Sequence, residues 1–574
     1  MKKFTYIYFF ALSAILLTVI QQPYNLSFLA WVALVPFVFA ALSNVGADLS
    51  VCPGRTRRFA PTMFIILAAY IIGILYWLGN LYWLIPITIP GWIAACAYMA
   101  VYWPIVVISL RFCVQRKIPI WFALPILIVG EEALRGWLFG WRFLAHSQFS
   151  NISLIQIADT FGTSGVSFVI AMVNGLICDL IYSRNGTKTQ RIRIIYGCSI
   201  TIFIIAATLF YGRYRINQTP QFTEDGPKIG VVQSNVPVKA GEDTEPFEKI
   251  FLDQLSDSRK ALVQGEPSLI IWPETMVETM LDDSYLQFVT EEYASKIIHN
   301  ALLRHSNEGV YVLVGAFGGE AELEGEQIKI KTKHNTAFLY EPNQAGPRQQ
   351  YSKIHLVPFG EYMPLKKELP FLYKLLLAMT PYDYDYTLDA GKEYTIFKMR
   401  VGDETYRFAV SICFEDTLPG VCRRLVAEDG FKQADWLVNI SNDGWFVRKI
   451  NNKIKASSEL SQHMAICVFR AIENRVAVIR CANTGISCMI DSLGNIKDGY
   501  LSGTLNEKVS QRTGQAGWFV DNVKIDKRVS AFSKHGQLLT ISCGICFILS
   551  AAMSIYKMIG TRKVKVEAND KEKF

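Results

Sequence analysis

Apolar residues fall into long runs over the first third of this chain, give way to short runs, and return once near the end. Eight runs approach the roughly 20 residues that carry a helix across a bilayer: Phe4–Ile20, Leu26–Leu42, Pro61–Leu78, Gly91–Leu110, Ile120–Phe139, Gly162–Ile181, Ile194–Tyr211 and Leu538–Met558. From Lys228 onward the runs shorten to strand length: KIGVVQSN (Lys228–Asn235), SLIIW (Ser268–Trp272), YVLVGAF (Tyr311–Phe317), Ala337–Tyr340, FAVSIC (Phe408–Cys413), WLVNI (Trp436–Ile440), Val476–Arg480 and Ser487–Asp491. Glu245–Val263, Ser284–Arg304 and Ala456–Asn474 carry helical periodicity between them. Such alternation over roughly 290 residues predicts an α/β domain large enough for its own core. The expected layout is a helical membrane domain at 1–212, a hydrophilic domain at 213–535, and a final span with a charged tail at 536–574.

Composition agrees with that division. The 574 residues are 51% hydrophobic and only 19% charged, and the mean hydropathy is +0.22, outside the usual range of soluble globular or disordered chains. A net charge of +8 is too small for this length to indicate a nucleic-acid binder. Its distribution orients the chain instead. Lys2 and Lys3, Arg55, Arg57 and Arg58, Arg111, Arg116 and Lys117, Arg184 to Arg193, and Arg562 to Lys565 fall on one side, while the loops Gln21–Asn25 and Asn80–Pro90 carry no charge; Arg213 and Arg215 break the pattern. Both termini are therefore expected in the cytoplasm and residues 213–535 outside it. The first run lacks a clear signal-peptide cleavage site and reads as an anchor. Trp77, Trp83, Trp92 and Trp103 are candidate interface anchors.

Glu131, Glu132 and Arg135 interrupt an apolar run. Intramembrane charges mark function by default, and a structural ion pair between Glu131 and Arg135 is the alternative. Seven of the 12 cysteines lie in or beside apolar runs, which leaves five in the hydrophilic part. Cys467, Cys481 and Cys488 read as small buried hydrophobes. Cys413 differs, because it ends a strand and precedes Phe414, Glu415 and Asp416, at the edge where α/β sheets build sites. Two more strand-to-loop junctions carry ionisable groups, at Glu274 and along Lys353 to Glu361. A cysteine, a carboxylate and a lysine converging there suit acyl transfer. The carboxylate takes the thiol proton, sulfur attacks an ester or amide carbonyl, and the ammonium, with a backbone N–H near Phe414, supports the oxyanion. The ammonium is also expected to favour thiolate. His355 is expected to hydrogen-bond rather than act as a base.

WPET at Trp272–Thr275, KIHLVPFGEYMP at Lys353–Pro364, ICFED at Ile412–Asp416 and NDGWF at Asn442–Phe446 together resemble the nitrilase superfamily. The full chain resembles its membrane-embedded branch, the apolipoprotein N-acyltransferase family, through ALRGW (Ala133–Trp137), FGTSGVSF (Phe161–Phe168), HNTA (His334–Ala337), FRAIENR (Phe469–Arg475) and CANTGIS (Cys481–Ser487). The resemblance implies a multi-span α-helical membrane domain of about eight transmembrane helices plus an α/β nitrilase-like α-β-β-α sandwich. It implies Glu274 as general base, Lys353 as oxyanion-stabilising lysine and Cys413 as nucleophile, with Glu361, Glu415, Phe414 and Asn335 as accessory residues. Implied partners are a phospholipid acyl donor and a diacylglyceryl apolipoprotein acceptor, with a Cys413 thioester between them. The implied location is a bacterial inner membrane with the catalytic domain in the periplasm. No cofactor, metal or nucleic acid is implied, and the chain is expected to act as a monomer.

The sequence departs from the family at Ser234 after Gln233, in the absence of a tryptophan between there and Glu245, and at Val447, after which the basic stretch Arg448–Lys455 follows. A segment between Leu365 and Tyr386, with the apolar run Leu375–Met379, reads either as a lid or as a buried helix. No HExxH, G-x-S-x-G or Walker A pattern is present, and Cys543 and Cys546 form a CxxC inside an apolar run without charged neighbours. The remaining alternatives are a membrane-anchored nitrilase-type amidase, against which seven preceding spans argue, and a non-catalytic transporter or receptor.

Overall fold

The structure is a computed structural model that describes residues 5–43, 59–182, 187–238, 246–344, 348–363, 371, 386–451 and 453–571. The proposed lid lies outside the described residues except for Phe371 and Tyr386. Two compact units are present, Met1–Tyr82 with Trp92–Arg213 and Gln537–Phe574, and Trp83–Gly91 with Tyr214–Gly536.

Among the described residues five helices are long and apolar enough to cross a membrane: Thr62–Asn80, Ile89–Gln115, Thr163–Tyr182, Thr189–Gln221 and Leu538–Ile559. The other three expected spans are shorter. Thr5–Val19 has 15 residues. The run at 26–42 splits into a 3-10 turn, Ser27–Trp31, and a short helix, Val35–Ala41, because Pro36 can only enter a helix in its first turn. The buried Asn174 side chain bridges that break, accepting from Leu34 N and donating to Ala30 O at 2.9 Å each. Ile120–Gly136 has 17 residues and ends in the charged triplet.

Those charges hold backbone. Arg135 donates to Glu131 Oε1 at 2.7 Å and to the carbonyls of Trp141 and Arg142 at 2.6 and 3.1 Å. Glu132 Oε1 accepts from Leu144 N at 2.5 Å. Arg142 donates in turn to the carbonyls of Leu17 and Thr18. The triplet therefore satisfies polar backbone in the irregular stretch after the helix, which is the structural alternative. Trp77 and Trp103 are buried, and Trp77 lies beneath the Arg135 guanidinium at 5.4 Å. These two rings pack inside the helical unit.

In the second unit, strands β1 (Thr223–Gln233), β2 (Leu269–Ile271), β3 (Val277–Met280), β4 (Tyr311–Gly318), β5 (His334–Tyr340) and β6 (Gln349–Ser352) lead to β7 (Ile396–Val401), β8 (Glu404–Ile412), β9 (Trp436–Ser441), β10 (Ala477–Ala482), β11 (Cys488–Ile490), β12 (Ser502–Gly503) and β13 (Gly517–Asp526). One sheet has the order β12-β13-β1-β2-β4-β5-β6, with β3 beside β4; the other is β11-β10-β9-β8-β7. Parallel pairing joins β1, β2 and β4 in the first and β8, β9 and β10 in the second. These central strands are apolar along nearly their whole length because both faces are covered. Helices Phe247–Gly265 and Ala294–Ser306 bury Phe251, Leu255, Ile298 and Leu302 against the first sheet, and Ser458–Asn474 lies buried beside the second at every position but Ser461. Phe397, Phe408 and Trp436 stack across β7, β8 and β9 with ring centroids 5.1 and 5.6 Å apart.

The single helix expected at Ser284–Arg304 is two, Asp283–Leu286 and Ala294–Ser306. β-Branched Val289 and Thr290 follow a first turn capped by Asp282, and Glu291 and Glu292 sit just before the second helix, where its dipole favours them.

Close backbone approach in the helical unit is testable at Gly130, where a Cβ would fall 2.5 Å from Phe547 Cβ and 2.6 Å from Cys543 O. Gly130→Leu must push the helices Ile120–Gly136 and Leu538–Lys571 apart and is expected to cost about 1–3 kcal/mol. Thermal unfolding in detergent would show it as a lowered Tm; an unchanged Tm would remove the contact.

Candidate active site

Glu274 lies three residues past the end of β2, Lys353 one past β6 and Cys413 one past β8, so three strand ends deliver the three groups to one place. The backbone is forced into position. Thr275 and Cys413 both take left-handed conformations, with φ of 49° and 51°, which non-glycine residues hold only where their surroundings demand it. Gly315 on β4 leaves room for the turn at Glu274, since a Cβ there would lie 2.7 Å from Glu274 Cα and Pro273 O.

Lys353, 1% exposed, donates from Nζ to Glu361 Oε1 at 2.9 Å and to Glu274 Oε1 at 3.3 Å. Burial opposes its charge, but the Glu361 and Glu274 carboxylates outweigh burial and hold its pKa above the ordinary lysine value. The ammonium is thus permanent. Asn335 Nδ2 donates to both carboxylates, at 2.7 Å to Glu274 and 2.9 Å to Glu361. The second oxygen of Glu274 accepts from Asn442 N at 2.8 Å, and that of Glu361 from Val357 N at 2.8 Å.

Cys413 is half-buried. Burial raises its pKa well above the ordinary thiol value, Glu274 adds to the rise, and Lys353 only partly opposes it. The Lys353 ammonium thus favours thiolate, as expected, but burial and the Glu274 charge outweigh it. Glu274 is the carboxylate whose charge it feels most.

Glu415 serves differently from Glu361. Its Oε1 accepts from Tyr351 OH, Ile354 N and His355 N at 2.9, 2.8 and 3.1 Å, and its Oε2 from Ile412 N at 2.9 Å. It ties the Lys353 loop to the cysteine turn, and burial lifts its pKa to about 7. Phe414 is buried beside it. The His355 side chain is exposed, and it is the backbone N–H that reaches Glu415.

Behind the cysteine is a second charged cluster that the motifs brushed but sequence reasoning did not assemble. Arg480, fully buried, donates to Asn439 Oδ1 and Asp443 Oδ2 at 2.6 Å each. Asn439 Nδ2 donates to the carbonyl of Cys413 at 3.3 Å. His463 Nε2 meets Asp416 Oδ1 at 2.7 Å and its Nδ1 meets Glu459 Oε1 at 3.1 Å. Ser441 Oγ donates to Asp443 Oδ1 at 2.5 Å and also bonds the Cys413 side chain. Burial resists the charge on Asp443, yet Arg480, His463 and Ser441 hold its pKa down to about 2. Cys467 donates to Asp416 Oδ2 at 2.9 Å, so it is more than the apolar filler expected. The readable signal was Glu459, His463, Cys467 and Arg470, a polar stripe at helical spacing on an otherwise apolar helix. Asp443, Glu459 and His463 place ligand atoms within 4.8 Å of one another, a set that can hold a metal ion; Arg480 already supplies positive charge there.

Two stacked sheets whose strand ends bring together a glutamate, a lysine and a cysteine, in a chain with membrane-length helices, define an enzyme of the carbon-nitrogen hydrolase type carried on a membrane domain. Residues 228–513 match the Carbon-nitrogen hydrolase family model and residues 13–176 that of the Apolipoprotein N-acyltransferase N-terminal domain. The chain is 32% identical over 411 residues, 70% of each chain, to apolipoprotein N-acyltransferase of Geobacter metallireducens, and 27% identical over 448 residues, 76% of this chain and 77% of that one, to its namesake in Chlorobaculum tepidum. It belongs to the apolipoprotein N-acyltransferase family and is an acyltransferase. Among solved structures, an amidase from Nesterenkonia sp. is 14% identical, with a TM-score of 0.33, covering 53% of this chain and 92% of that one.

Two substitutions test the geometry. Asn335→Ala removes hydrogen bonds to two carboxylates at once and is expected to lower kcat about 10- to 100-fold with the fold intact; an unchanged kcat would take Asn335 out of the site. Arg480→Met strands Asp443 in the interior and is expected to cost about 3–5 kcal/mol of stability, read as a large fall in Tm.

Proposed function

We propose that this enzyme moves a fatty acyl chain from a membrane phospholipid to the α-amine of an apolipoprotein's N-terminal diacylglyceryl-cysteine, through a thioester on Cys413. The observation that carries this reading is the convergence of Glu274, Lys353 and Cys413 at three strand ends in a chain of this family. In the first half-reaction Glu274 takes the thiol proton as Sγ attacks the ester carbonyl of the phospholipid. The Lys353 ammonium stabilises the oxyanion. The C–O bond then breaks, and the proton passes from Glu274 to the departing lysophospholipid oxygen. In the second half-reaction the lipoprotein amine attacks the thioester and loses a proton to Glu274. The C–S bond breaks, and that proton returns to the sulfur. A thioester stores the acyl group between two bulky lipid substrates, which suits a ping-pong order.

Glu361 and Asn335 hold the ammonium and the base in place, and Glu415 and Phe414 hold the nucleophile's turn. The loop charges support a periplasmic catalytic domain and cytoplasmic termini in a bacterial inner membrane.

Labelled phospholipid supplied without acceptor should leave an acyl adduct on Cys413 by mass spectrometry, and added diacylglyceryl peptide should clear it into an N-acylated product. Cys413→Ala should abolish both. Release of free fatty acid alone, or transfer surviving in Cys413→Ala, would overturn the reading.

A further inference from the structure

The basic stretch after NDGWF is a two-stranded hairpin, Arg448–Ile450 paired antiparallel with Lys453–Lys455. Its register sets Arg448 directly opposite Lys455 and Ile450 opposite Lys453. Like charges facing each other across an antiparallel pair destabilise it. Both Arg448 and Lys455 are exposed, and among the described residues neither makes an ion pair with a carboxylate. No acidic residue occurs between Gly444 and Ser458. Ile450 is 47% exposed on the same face as Arg448. The alternate position, Ile454, turns the other way, its Cβ 3.8 Å from where Gly514 would carry a side chain. The outward face thus combines repelling cations with an exposed apolar side chain.

Its surroundings suggest what neutralises it. Phe446, two residues before the hairpin, meets the Trp83 ring edge-on with centroids 5.0 Å apart inside the second unit. Trp83 follows a membrane-length helix that ends at Asn80 and precedes another that starts at Ile89, so by connectivity its loop lies at a bilayer surface.

We infer that the face bearing Arg448, Ile450 and Lys455 contacts a bilayer, with anionic phospholipid headgroups between the two cations and Ile450 at acyl-chain depth. Phosphodiester anions remove the cross-strand repulsion, and cations beside an apolar side chain match the layered polarity of a lipid interface. The inference does not depend on the acyl-transfer reading, because it concerns lipids that are held and not consumed.

The test uses the full chain carrying Cys413→Ala, which excludes turnover, with a fluorescent amino acid at position 450, in nanodiscs of phosphatidylcholine and phosphatidylglycerol. Quenching by brominated phosphatidylglycerol should exceed quenching by brominated phosphatidylcholine. That preference should fall about fivefold for each charge removed in R448Q and K455Q, and it should fade at high salt. The double variant should unfold at an equal or higher temperature, since it removes repulsion. Equal quenching by the two lipids, a preference undiminished in R448Q/K455Q, or a lipid preference abolished by stoichiometric poly-glutamate, which would indicate an acidic protein partner, would overturn the proposal.

Discussion

A lysine ammonium 1% exposed to solvent is the constraint around which the catalytic unit is arranged. An isolated charge at such a depth is prohibitively expensive. Its neutralisation draws in Glu274 from the end of β2 and Glu361 from the loop after β6, and their remaining lone pairs draw in Asn335 and the backbone of Val357 and Asn442. What the proposed chemistry needs, a base and a cation at one carbonyl, is the same arrangement that electrostatics needs to keep the interior satisfied.

Cys413 stands between this network and a second one. Arg480 reaches the Cys413 carbonyl through Asn439, while Ser441 touches the thiol and leans on Asp443. The front network sets the charge the thiol experiences, and the rear network sets where the backbone holds it. The left-handed φ at Cys413 is affordable because both sides restrain it.

How much of this could be read from the chain depends on whether a residue's role is local. Glu274, Lys353 and Cys413 were legible because each follows directly on a strand and lies in a short motif. Asn335, quoted inside HNTA, was legible as a supporting residue by resemblance, but its grip on two carboxylates is a product of the fold. Asp416 and Asp443 lie in the turns that follow β8 and β9, Arg480 in β10 and His463 in the helix Ser458–Asn474, and their pairing arises only from parallel strand neighbours that the sequence does not order. Long apolar runs marked the helices, yet apolarity alone does not set helix length: Pro36 divided one run and the Glu131–Arg135 charges closed another. The opposing pull of burial on the thiol was not legible for a similar reason, since proximity of a lysine is visible in a motif and the depth of burial is not.

The hydrogen bonds that complete Glu274 reach across 61, 79 and 168 residues of chain to Asn335, Lys353 and Asn442. No fragment of the domain holds all of them. A chain still folding therefore carries Cys413 with neither the Glu274 carboxylate nor the Lys353 ammonium in place. Under the proposed mechanism, reactivity appears together with the docking of the two sheets, so acquiring the fold is also the step that arms the thiol, and incompletely folded molecules have no means of capturing an acyl chain.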